Sequence, residues 1–348
     1  MINLGVIGTG WITSSFVRSA QSTSSYTLRA VYSRSLETAE TFASKHASSS
    51  SSSSSSFSIK TYTSIADLVN DADIDTVYIA SPNILHFTQA KESLTAGKNV
   101  ILEKPSCSTV DQLDQLFALA QSKKVFLLEA WRHIQEPNFK TLKTAIDTHL
   151  GGRASLHSAS LHYEQFSSRF DKLLAGELPN IFNLEMGGGA LVDLGIYTVA
   201  AAIWLFGTPA SSRYFPTKLS SGADGGGHLI LTYDDNFVVH LSSSKMHNST
   251  APSEIYSHRG TLSVPTITDV QGVTFWDPRA KKREVLAGED TAVEKGELNL
   301  SAEAREFARI IGERDWEAAG QLEVHSREVL RVVERARREN GLRFPGEE

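Results

Sequence analysis

The sequence predicts an α/β protein with two domains: first a doubly wound parallel sheet, then a second α/β domain with an open, mostly antiparallel sheet. Residues 2–131 alternate short β-branched runs with helical patterns, which is typical of βαβ units. Beyond about residue 132, strands with alternating polarity are separated by Gly, Asp and Asn turns. The 348 residues, 41% of them hydrophobic, suffice for two domains, which we place at residues 1–132 and 133–348.

The first domain is predicted from five apolar runs and from the helices between them. The runs are "INLGVIG", "LRAVYS", "DTVYIAS", "NVILEK" and "VFLLEAW", with helical patterns near residues 11–20, 35–47, 83–96 and 109–121. Strands this apolar are buried on both faces, so we expect helices on either side of the sheet. A run of nine serines, residues 48–56, cannot bury apolar area and predicts a mobile surface loop.

The second domain is predicted from an opening helix, a series of strands and two closing helices. The helices lie near residues 137–149, 301–312 and 321–339, and the strands include "RASLHSASLHYEQF", "GGHLILTY", "FVVHLSSSK", "SEIYSHRGTLSV" and "GVTFWD". The stretch "EMGGGALVDLGIYTVAAAIWLFGTP" predicts a buried helix that ends at Gly207 and Pro209, because it is apolar almost all round. Asp193, Gly195 and Tyr197 interrupt that pattern, and a buried carboxylate is costly unless it has a partner.

The composition indicates which kinds of partner the protein does not bind and in which cellular compartment we expect it. A net charge of −6 and a pI near 6.0 give no electrostatic footprint for nucleic acid, and the basic C-terminal run is interpreted as the solvated face of a helix. Cys107 is the one cysteine, which favours a reducing, cytoplasmic compartment. We expect no signal peptide, and no membrane span because no apolar run approaches about 20 residues. We also expect no bound metal.

A glycine-rich turn follows the first predicted strand and opens a helix. In "GVIGTGWITSSF" the glycines are Gly8 and Gly10, and Thr13 stands where the third glycine of GxGxxG would be. Such glycines allow backbone N–H groups to approach a pyrophosphate at the positive end of the helix. The placement between strand and helix, at the start of a βαβ series, therefore predicts a dinucleotide site.

The end of the second strand indicates which dinucleotide binds. A site for NAD usually has Asp or Glu there to hold the ribose 2′-hydroxyl, whereas this chain has Ser33 and Arg34. A guanidinium with a neighbouring hydroxyl suits a 2′-phosphate, so the sequence favours NADP. The alternative is that Arg34 points to water, which leaves a site that accepts NAD as well.

The strand "NVILEK" ends at Glu103 and Lys104, directly before Pro105. The carboxyl ends of parallel strands border the ligand crevice, so we expect Lys104 at the place of chemistry. A lysine there can hydrogen-bond a substrate hydroxyl, and partial burial makes its ammonium easier to deprotonate. The alternative is a surface pair of adjacent charges, but the proline fixes the backbone at the strand end.

Together, "GVIGTGWI", "SPNILHFTQA", "EKPSCST" and "GGGALVDLGIYTV" resemble the Gfo/Idh/MocA oxidoreductase family, whose pattern covers nearly the whole chain in the same order. The resemblance implies an N-terminal Rossmann domain for a nicotinamide cofactor and a C-terminal α/β domain for the substrate and often for dimerisation. It makes Lys104 a catalytic-site residue, followed by a commonly cis Lys–Pro bond. The expected cofactor-binding residues are Gly8, Thr9, Gly10, Trp11, Ile12, Ser33, Arg34, Ser81, Pro82, Asn83, His86, Glu103 and Lys104. For His86, a role in helix capping or packing stays open.

Within the family, "GGGALVDLGIYTV" with "LLEAWRH" is most similar to the branch of dimeric dihydrodiol dehydrogenase and NADP-dependent D-xylose dehydrogenase. In that branch the position of Tyr197 is tyrosine, whereas many other members use histidine. A second arginine that the branch can place one turn after the first is Thr38 here. The resemblance therefore implies a small polyhydroxylated substrate, such as an aldose or a trans-dihydrodiol.

Asp193 and Tyr197 are four residues apart, so on an α-helix they share one face. If that face borders the cleft, Asp193 is partnered by substrate hydroxyls, Lys104 or water, Gly195 removes bulk between the two side chains, and the preceding glycines let a ligand approach. Tyr197 is then the acid/base at the reacting oxygen, assisted by the Lys104 ammonium, while Asp193 orients the substrate. Lys104 as the proton carrier is the alternative, as is a plain core role for Asp193 and Tyr197.

Two other classes of function stay open at this stage. One is a non-catalytic, dinucleotide-binding regulatory protein of the same architecture. The other is a reductase of an imine or of a secondary-metabolite ketone, which changes only the substrate pocket. An open sheet has a face that needs covering, which favours a homodimer.

Overall fold

The computed structural model describes residues 1–47, 58–288 and 300–347. The serine run at residues 48–56, predicted to be a mobile loop, lies outside the described residues. The chain forms two compact units. The first consists of residues 1–132 with residues 300–324, and the second of residues 133–288 with residues 325–347.

The strands and helices follow one another in the order that the sequence predicts, with several additions. The strands are β1 Ile2–Ile7, β2 Tyr26–Tyr32, β3 Lys60–Tyr62, β4 Thr76–Ile79, β5 Asn99–Leu102, β6 Leu127–Glu129, β7 Leu156–Glu164, β8 Ser211–Lys218, β9 Asp224–Thr232, β10 Val238–Ser244, β11 Ser253–Ser257, β12 Gly260–Val264, β13 Val273–Asp277 and β14 Lys282–Ala287. The α-helices are α1 Trp11–Ser22, α2 Leu36–His46, α3 Ile65–Asn70, α4 His86–Thr95, α5 Val110–Lys123, α6 Arg132–Gln135, α7 Pro137–Thr148, α8 Ser168–Leu174, α9 Ile196–Phe206, α10 Ser301–Glu313 and α11 Trp316–Glu339.

The sheet of the first unit is parallel throughout its described strands, in the order β3-β2-β1-β4-β5-β6. The strand order reverses between β1 and β4, which is where ligands bind in doubly wound sheets. All four residues of β4 are buried, as expected for a sheet covered on both faces. The predicted Rossmann-type sheet is confirmed, while β3 and α3 were not predicted because they are short and follow the serine run.

The sheet of the second unit has the order β14-β13-β12-β11-β7-β10-β9-β8. Its described neighbours pair antiparallel except β7 and β10, which confirms the predicted, mostly antiparallel sheet. Helix α9 packs against β7 and β10, where Leu161 and Leu241 are buried. The edge strands β8 and β14 were not predicted, because "SSRYFPTK" contains a proline and "KREVLA" begins with three charged residues.

Residues 300–324 pack within the first unit, whereas the sequence analysis placed them in the second domain. The hydroxyl of Tyr26 on β2 donates to the carbonyl of Ala304 on α10 at 2.8 Å. The Trp316 ring stacks on Phe126, with ring centroids 4.0 Å apart. These contacts join segments that are far apart in sequence, so no local sequence pattern predicts them.

One helical stretch among the described residues, Leu184–Phe206, is long and apolar enough to cross a membrane by length and composition. The expectation that no apolar run approaches that length is therefore wrong. Of its most apolar window, however, 83% is buried inside the protein. A helix that is apolar all round is also what a protein core contains, so its length and composition are weak evidence for a membrane.

His325 lies in the core of the second unit, on α11. Its side chain is buried, and its ring meets Trp204 edge to face with centroids 5.0 Å apart. The Lys143 ammonium stands 4.8 Å from the centre of the same Trp204 ring. Burial, and secondarily the charge of Lys143, lowers the pKa of His325 from 6.5 to about 3. The folded protein therefore holds this imidazole neutral.

We expect the protein to lose stability below about pH 6.5, because the unfolded chain then binds a proton at His325 and the folded chain does not. This one group lowers the free energy of unfolding by about 2 kcal/mol between pH 8 and pH 5. The loss continues down to the folded pKa of about 3. Urea unfolding of the wild type and of His325→Leu across this range measures it, with the exposed His157→Gln as control. An unchanged pH slope in His325→Leu would contradict the assignment.

Candidate active site

The turn after β1 is shaped by Gly8, which has a φ of +104°. A Cβ atom on this residue would collide with the carbonyl oxygen of Ala80, just past the end of β4. Gly10 caps α1, and a Cβ there would meet no atom within 4 Å. The first turn of α1 carries no acidic residue, so no carboxylate of that turn would repel an anion at the positive end of the helix. This geometry fits a pyrophosphate.

The residues that follow the turn differ in their exposure. Thr9 and Ile12 are partly buried, whereas the Trp11 side chain is 68% exposed. Thr13, which replaces the third glycine of the motif, is fully buried, and its hydroxyl has no hydrogen-bond partner among residues 1–47, 58–288 and 300–347. A fully buried residue here lies where the motif's third glycine allows close packing of helix against strand, so Thr13 has a place in the packing of α1.

Ser33 and Arg34 lie just beyond the end of β2. The backbone N–H of Ser33 donates to Tyr62 on β3 at 3.1 Å, which fixes the start of this loop. Arg34 is exposed, and no ion pair or hydrogen bond occupies its guanidinium within the described part of the chain. Thr38 donates its N–H to the hydroxyl of Ser35, so this position serves the cap of α2. Arg34 is thus available to a phosphate.

His86 connects two loops at the ends of neighbouring strands. Its Nδ1 lies 2.8 Å from the carbonyl oxygen of Pro105, and its Nε2 lies 2.9 Å from that of Ser81. The Ser81 hydroxyl in turn donates to Gln89 at 2.7 Å. Burial lowers the pKa of His86. These contacts show the structural role that the sequence left open, and contact of His86 with a cofactor stays a prediction. The adjacent Pro82 and Asn83 are exposed and partly buried, respectively.

Lys104 follows β5 and is partly buried, and the Lys104–Pro105 peptide bond is cis, as the family resemblance implies. Glu103 accepts a hydrogen bond from the Tyr78 hydroxyl at 2.6 Å and another from the Lys104 backbone N–H at 3.3 Å. Burial raises the pKa of the Glu103 carboxyl, while the charges of Lys104 and Arg132 oppose that rise. Glu103 therefore orders the backbone that presents the lysine.

Asp193 and Tyr197 belong to the second unit. Asp193 lies in a π-helical turn, Leu191–Gly195, and Tyr197 lies in the first turn of α9. The Tyr197 ring is held edge to face by His133 and by Tyr163, at centroid distances of 5.2 and 5.7 Å. The α-helical spacing assumed for the two residues therefore does not hold over residues 191–195, because a π-turn is wider. Such turns are frequent at functional sites.

Asp193 forms an ion pair with Lys245, which comes directly after β10. The Lys245 side chain is 5% exposed, whereas that of Asp193 is 38% exposed. The carboxylate thus has a protein partner that the sequence did not indicate, and contact with substrate, Lys104 or water stays a prediction. Lys245 was not among the predicted site residues, because a lysine that directly follows the strand "VVHLSSS" gives no sign of a partner 52 residues away.

The glycines near Asp193 contact protein. A Cβ atom on Gly195 would lie 2.8 Å from the Ser243 hydroxyl on β10, so this glycine allows the π-turn to approach the strand. Gly188 lies against the backbone of Asn180, and Gly189 lies against the carboxylate of Asp224. Gly195 therefore makes room for β10 rather than for the two side chains, which corrects that expectation, whereas admission of a ligand by the preceding glycines stays a prediction.

Asp224 is a second residue that the sequence analysis missed. Its buried carboxylate accepts the backbone N–H of Leu191 at 2.7 Å and the hydroxyl of Tyr214 at 2.7 Å. Burial raises its pKa, and the hydrogen bonds to it oppose that rise. The carboxylate therefore anchors the beginning of the helix that carries Asp193 and Tyr197.

Comparison with known proteins identifies the two halves of the chain. Residues 2–130 match the family described as "Oxidoreductase family, NAD-binding Rossmann fold", and residues 139–263 match the "GFO/IDH/MocA C-terminal domain". The chain is 34% identical to the scyllo-inositol 2-dehydrogenase (NADP(+)) IolU of Bacillus subtilis, over 100% of both chains. It is 28% identical to the D-xylose 1-dehydrogenase (NADP(+)) of Hypocrea jecorina, over 83% of this chain and 78% of the other.

A solved structure supports the fold. KijD10, a 3-ketoreductase from Actinomadura kijaniata crystallised with NADP and TDP-benzene, superposes with a TM-score of 0.79 at 21% identity over 97% of both chains. Fold, phosphate turn and relatives define the class of protein: this chain is an NAD(P)-dependent oxidoreductase. It belongs to the GFO/IDH/MocA family, which confirms the resemblance seen in its motifs.

Proposed function

We propose that the protein uses NADP to interconvert an alcohol and a carbonyl group on a small polyhydroxylated substrate. The observation that carries the proposal is the partly exposed Asp193 carboxylate, held by Lys245 in the π-turn that directly precedes the helix of Tyr197. A fixed carboxylate accepts hydrogen bonds from substrate hydroxyls, and a phenol can exchange a proton with the reacting oxygen. Relatives named for scyllo-inositol and D-xylose, both polyhydroxylated, support this substrate class.

The proposed roles of the site residues follow from their chemistry. Tyr197 gives a proton to the carbonyl oxygen during reduction and takes it back during oxidation. Lys104 supplies a positive charge that favours the ionised phenol and that hydrogen-bonds the same oxygen. Asp193 orients the substrate through its hydroxyls. When bound, the nicotinamide supplies or accepts the hydride.

The residues that would hold the cofactor are those of the phosphate turn and of the end of β2. Gly8, Gly10 and the N-terminus of α1 suit the pyrophosphate, and Arg34 suits the 2′-phosphate of NADP. The remaining predicted contacts, including Ser33, Ser81, Asn83 and His86, are part of the same proposal.

A panel of cofactors and substrates tests the function. NADPH or NADP absorbance is followed with scyllo-inositol, D-xylose, other aldoses, trans-dihydrodiols, a keto sugar and a cyclic imine, and each assay is repeated with NAD. We expect turnover with a polyol or an aldose, and preference for NADP. Reduction of the keto sugar would support the same substrate class, turnover of the imine alone would overturn it, and binding without any turnover would contradict the proposed chemistry.

Arg34 is expected to set the cofactor preference. Arg34→Ala should weaken NADP binding by about 10- to 100-fold, because charge-assisted hydrogen bonds contribute about 1.5–3 kcal/mol. NAD binding should stay within about twofold, since NAD has no 2′-phosphate. Isothermal titration with both cofactors measures the effect, and Arg283→Ala on β14 serves as a control. Equal losses for NAD and NADP would show that Arg34 acts elsewhere.

We also propose that the protein is a cytoplasmic homodimer. Exposed apolar side chains occur on the strands of the second sheet, including Phe215, Trp276 and Val285. A second copy of the chain would cover them. Sedimentation velocity of the wild type and of Trp276→Lys tests this, and a monomeric wild type would overturn it.

A further inference from the structure

We infer that Lys245 is a positioning residue for the reaction, acting through Asp193. The inference rests on the proposed function, because it gives Lys245 a purpose in orienting substrate. The Lys245 side chain is 5% exposed, so it is screened from a substrate in the site, while the carboxylate in front of it is 38% exposed. The buried cation holds one oxygen of the carboxylate, Oδ2.

The backbone of Lys245 is fixed on two sides. Its N–H donates to the carbonyl of Gly225 at 2.8 Å, and its own carbonyl accepts the N–H of Ser167 at 3.0 Å. One of these partners begins the neighbouring strand β9, and the other caps α8. The backbone that carries the Lys245 side chain is therefore held in place, as is needed in a residue that orients another side chain.

The π-turn and β10 meet in a matched register. Gly195 lies against Ser243, and two residues further along the strand Lys245 lies against Asp193, two residues back along the helix. A Cβ atom on Gly195 would lie 2.8 Å from the Ser243 hydroxyl and 3.0 Å from the Leu191 side chain, so glycine suits this close approach of the turn to the strand. Gly195 and Lys245 thus cooperate in setting where the carboxylate stands.

The electrostatics require the pair to act as a unit. A buried ammonium without a partner is costly, and among the described residues Asp193 is the acidic group paired with Lys245. The paired carboxylate stays ionised and oriented, which suits hydrogen bonds from neutral hydroxyl groups. Because the two charges cancel, the pair has no net attraction for a charged substrate group.

The kinetic test uses Lys245→Met, Lys245→Arg and the exposed Lys218→Met as the matched control. Lys245→Met should lower kcat/KM by about 10- to 100-fold while the Kd for NADP stays within about twofold, because a misplaced orienting group slows turnover without altering the cofactor site. The acid limb of its pH profile should move to higher pH, since the carboxylate loses its cation. Lys245→Arg should recover a substantial part of the activity.

A double-mutant cycle with Asp193→Asn distinguishes positioning from a direct role. If Lys245 acts through Asp193, then Lys245→Met costs little further activity in the Asp193→Asn background. A further loss of about tenfold or more there, or an unmoved pH profile in Lys245→Met alone, would overturn the inference.

The same double-mutant cycle can be measured as changes in the urea midpoint of unfolding, which needs no substrate. Asp193→Asn should lower the urea midpoint because it leaves the buried ammonium unpaired, and Lys245→Met should restore the midpoint in the double variant. If the wild type turned over no compound of the panel while this recovery occurred, the proposed function would fail and the pairing would stand. If the recovery were absent, the pairing itself would be refuted.

Discussion

Replacing Tyr197 with phenylalanine is expected to lower kcat by about 10²- to 10⁴-fold, the range for loss of a general acid/base. The substitution keeps the ring, so the edge-to-face contacts with His133 and Tyr163 are preserved. Affinity for NADP should therefore be retained, because no part of the phosphate turn changes. Steady-state kinetics in both directions, together with cofactor titration, measure the two quantities.

Tyr163→Phe is the matched control for this prediction. It also removes one phenolic hydroxyl and keeps an aromatic ring, and its hydroxyl donates to Gln165 at 3.3 Å. The kcat of Tyr163→Phe should stay within about threefold of the wild type, since a single hydrogen bond of this kind makes only a modest net contribution to the free energy. Equal losses in the two variants would indicate that ring packing, rather than proton transfer, explains the effect.

Lys104→Met distinguishes between Tyr197 and Lys104 as the residue that transfers the proton. If, as proposed, Tyr197 is the acid/base and the Lys104 ammonium assists it, Lys104→Met lowers kcat and shifts the basic limb of the pH profile to higher pH, because the phenol loses the assistance of that cation. If Lys104 carries the proton, its removal costs more than removal of the Tyr197 hydroxyl, and the basic limb disappears. Full turnover in both Lys104→Met and Tyr197→Phe would refute the site assignment.

Features that depend on local backbone chemistry could be predicted from the sequence. Gly8 is required by its positive φ and by the nearby Ala80 carbonyl, and both follow from a tight turn between a strand and a helix. The parallel sheet followed from alternating buried strands and helices. Lys104 could be placed at a strand end because Pro105 marks the end of the strand pairing.

Features that depend on distant partners could not be predicted. Lys245 is 52 residues from Asp193, and Asp224 is 33 residues from Leu191, so neither pairing leaves a periodic trace. The π-turn was missed because a short, mostly apolar run such as "LVDLG" has the same pattern in a π-turn as in an α-helix. Gly195 was misinterpreted for the related reason that a glycine makes room for a side chain and for a neighbouring strand equally well.

Asp224→Ala is expected to be the most destabilising single change in the second unit that we propose. It leaves the Tyr214 hydroxyl and the N–H groups of Leu191 and Ala190 without their acceptor. Each buried, unsatisfied group costs about 1–3 kcal/mol, so the free energy of unfolding should fall by about 3–5 kcal/mol. The beginning of the helix that carries Asp193 should also loosen, which lowers kcat in the protein that remains folded.

Tyr214→Phe and Asp224→Asn separate the contributions to this loss. Tyr214→Phe removes a single donor and should cost about 1 kcal/mol, because the carboxylate keeps its backbone partners. Asp224→Asn keeps one acceptor oxygen and should lie between the two in urea unfolding. If Asp224→Ala cost no more than Tyr214→Phe, the backbone N–H groups would not depend on this carboxylate. In that case kcat should be unchanged in both variants, and the anchoring of the π-turn would have to come from its packing against β10.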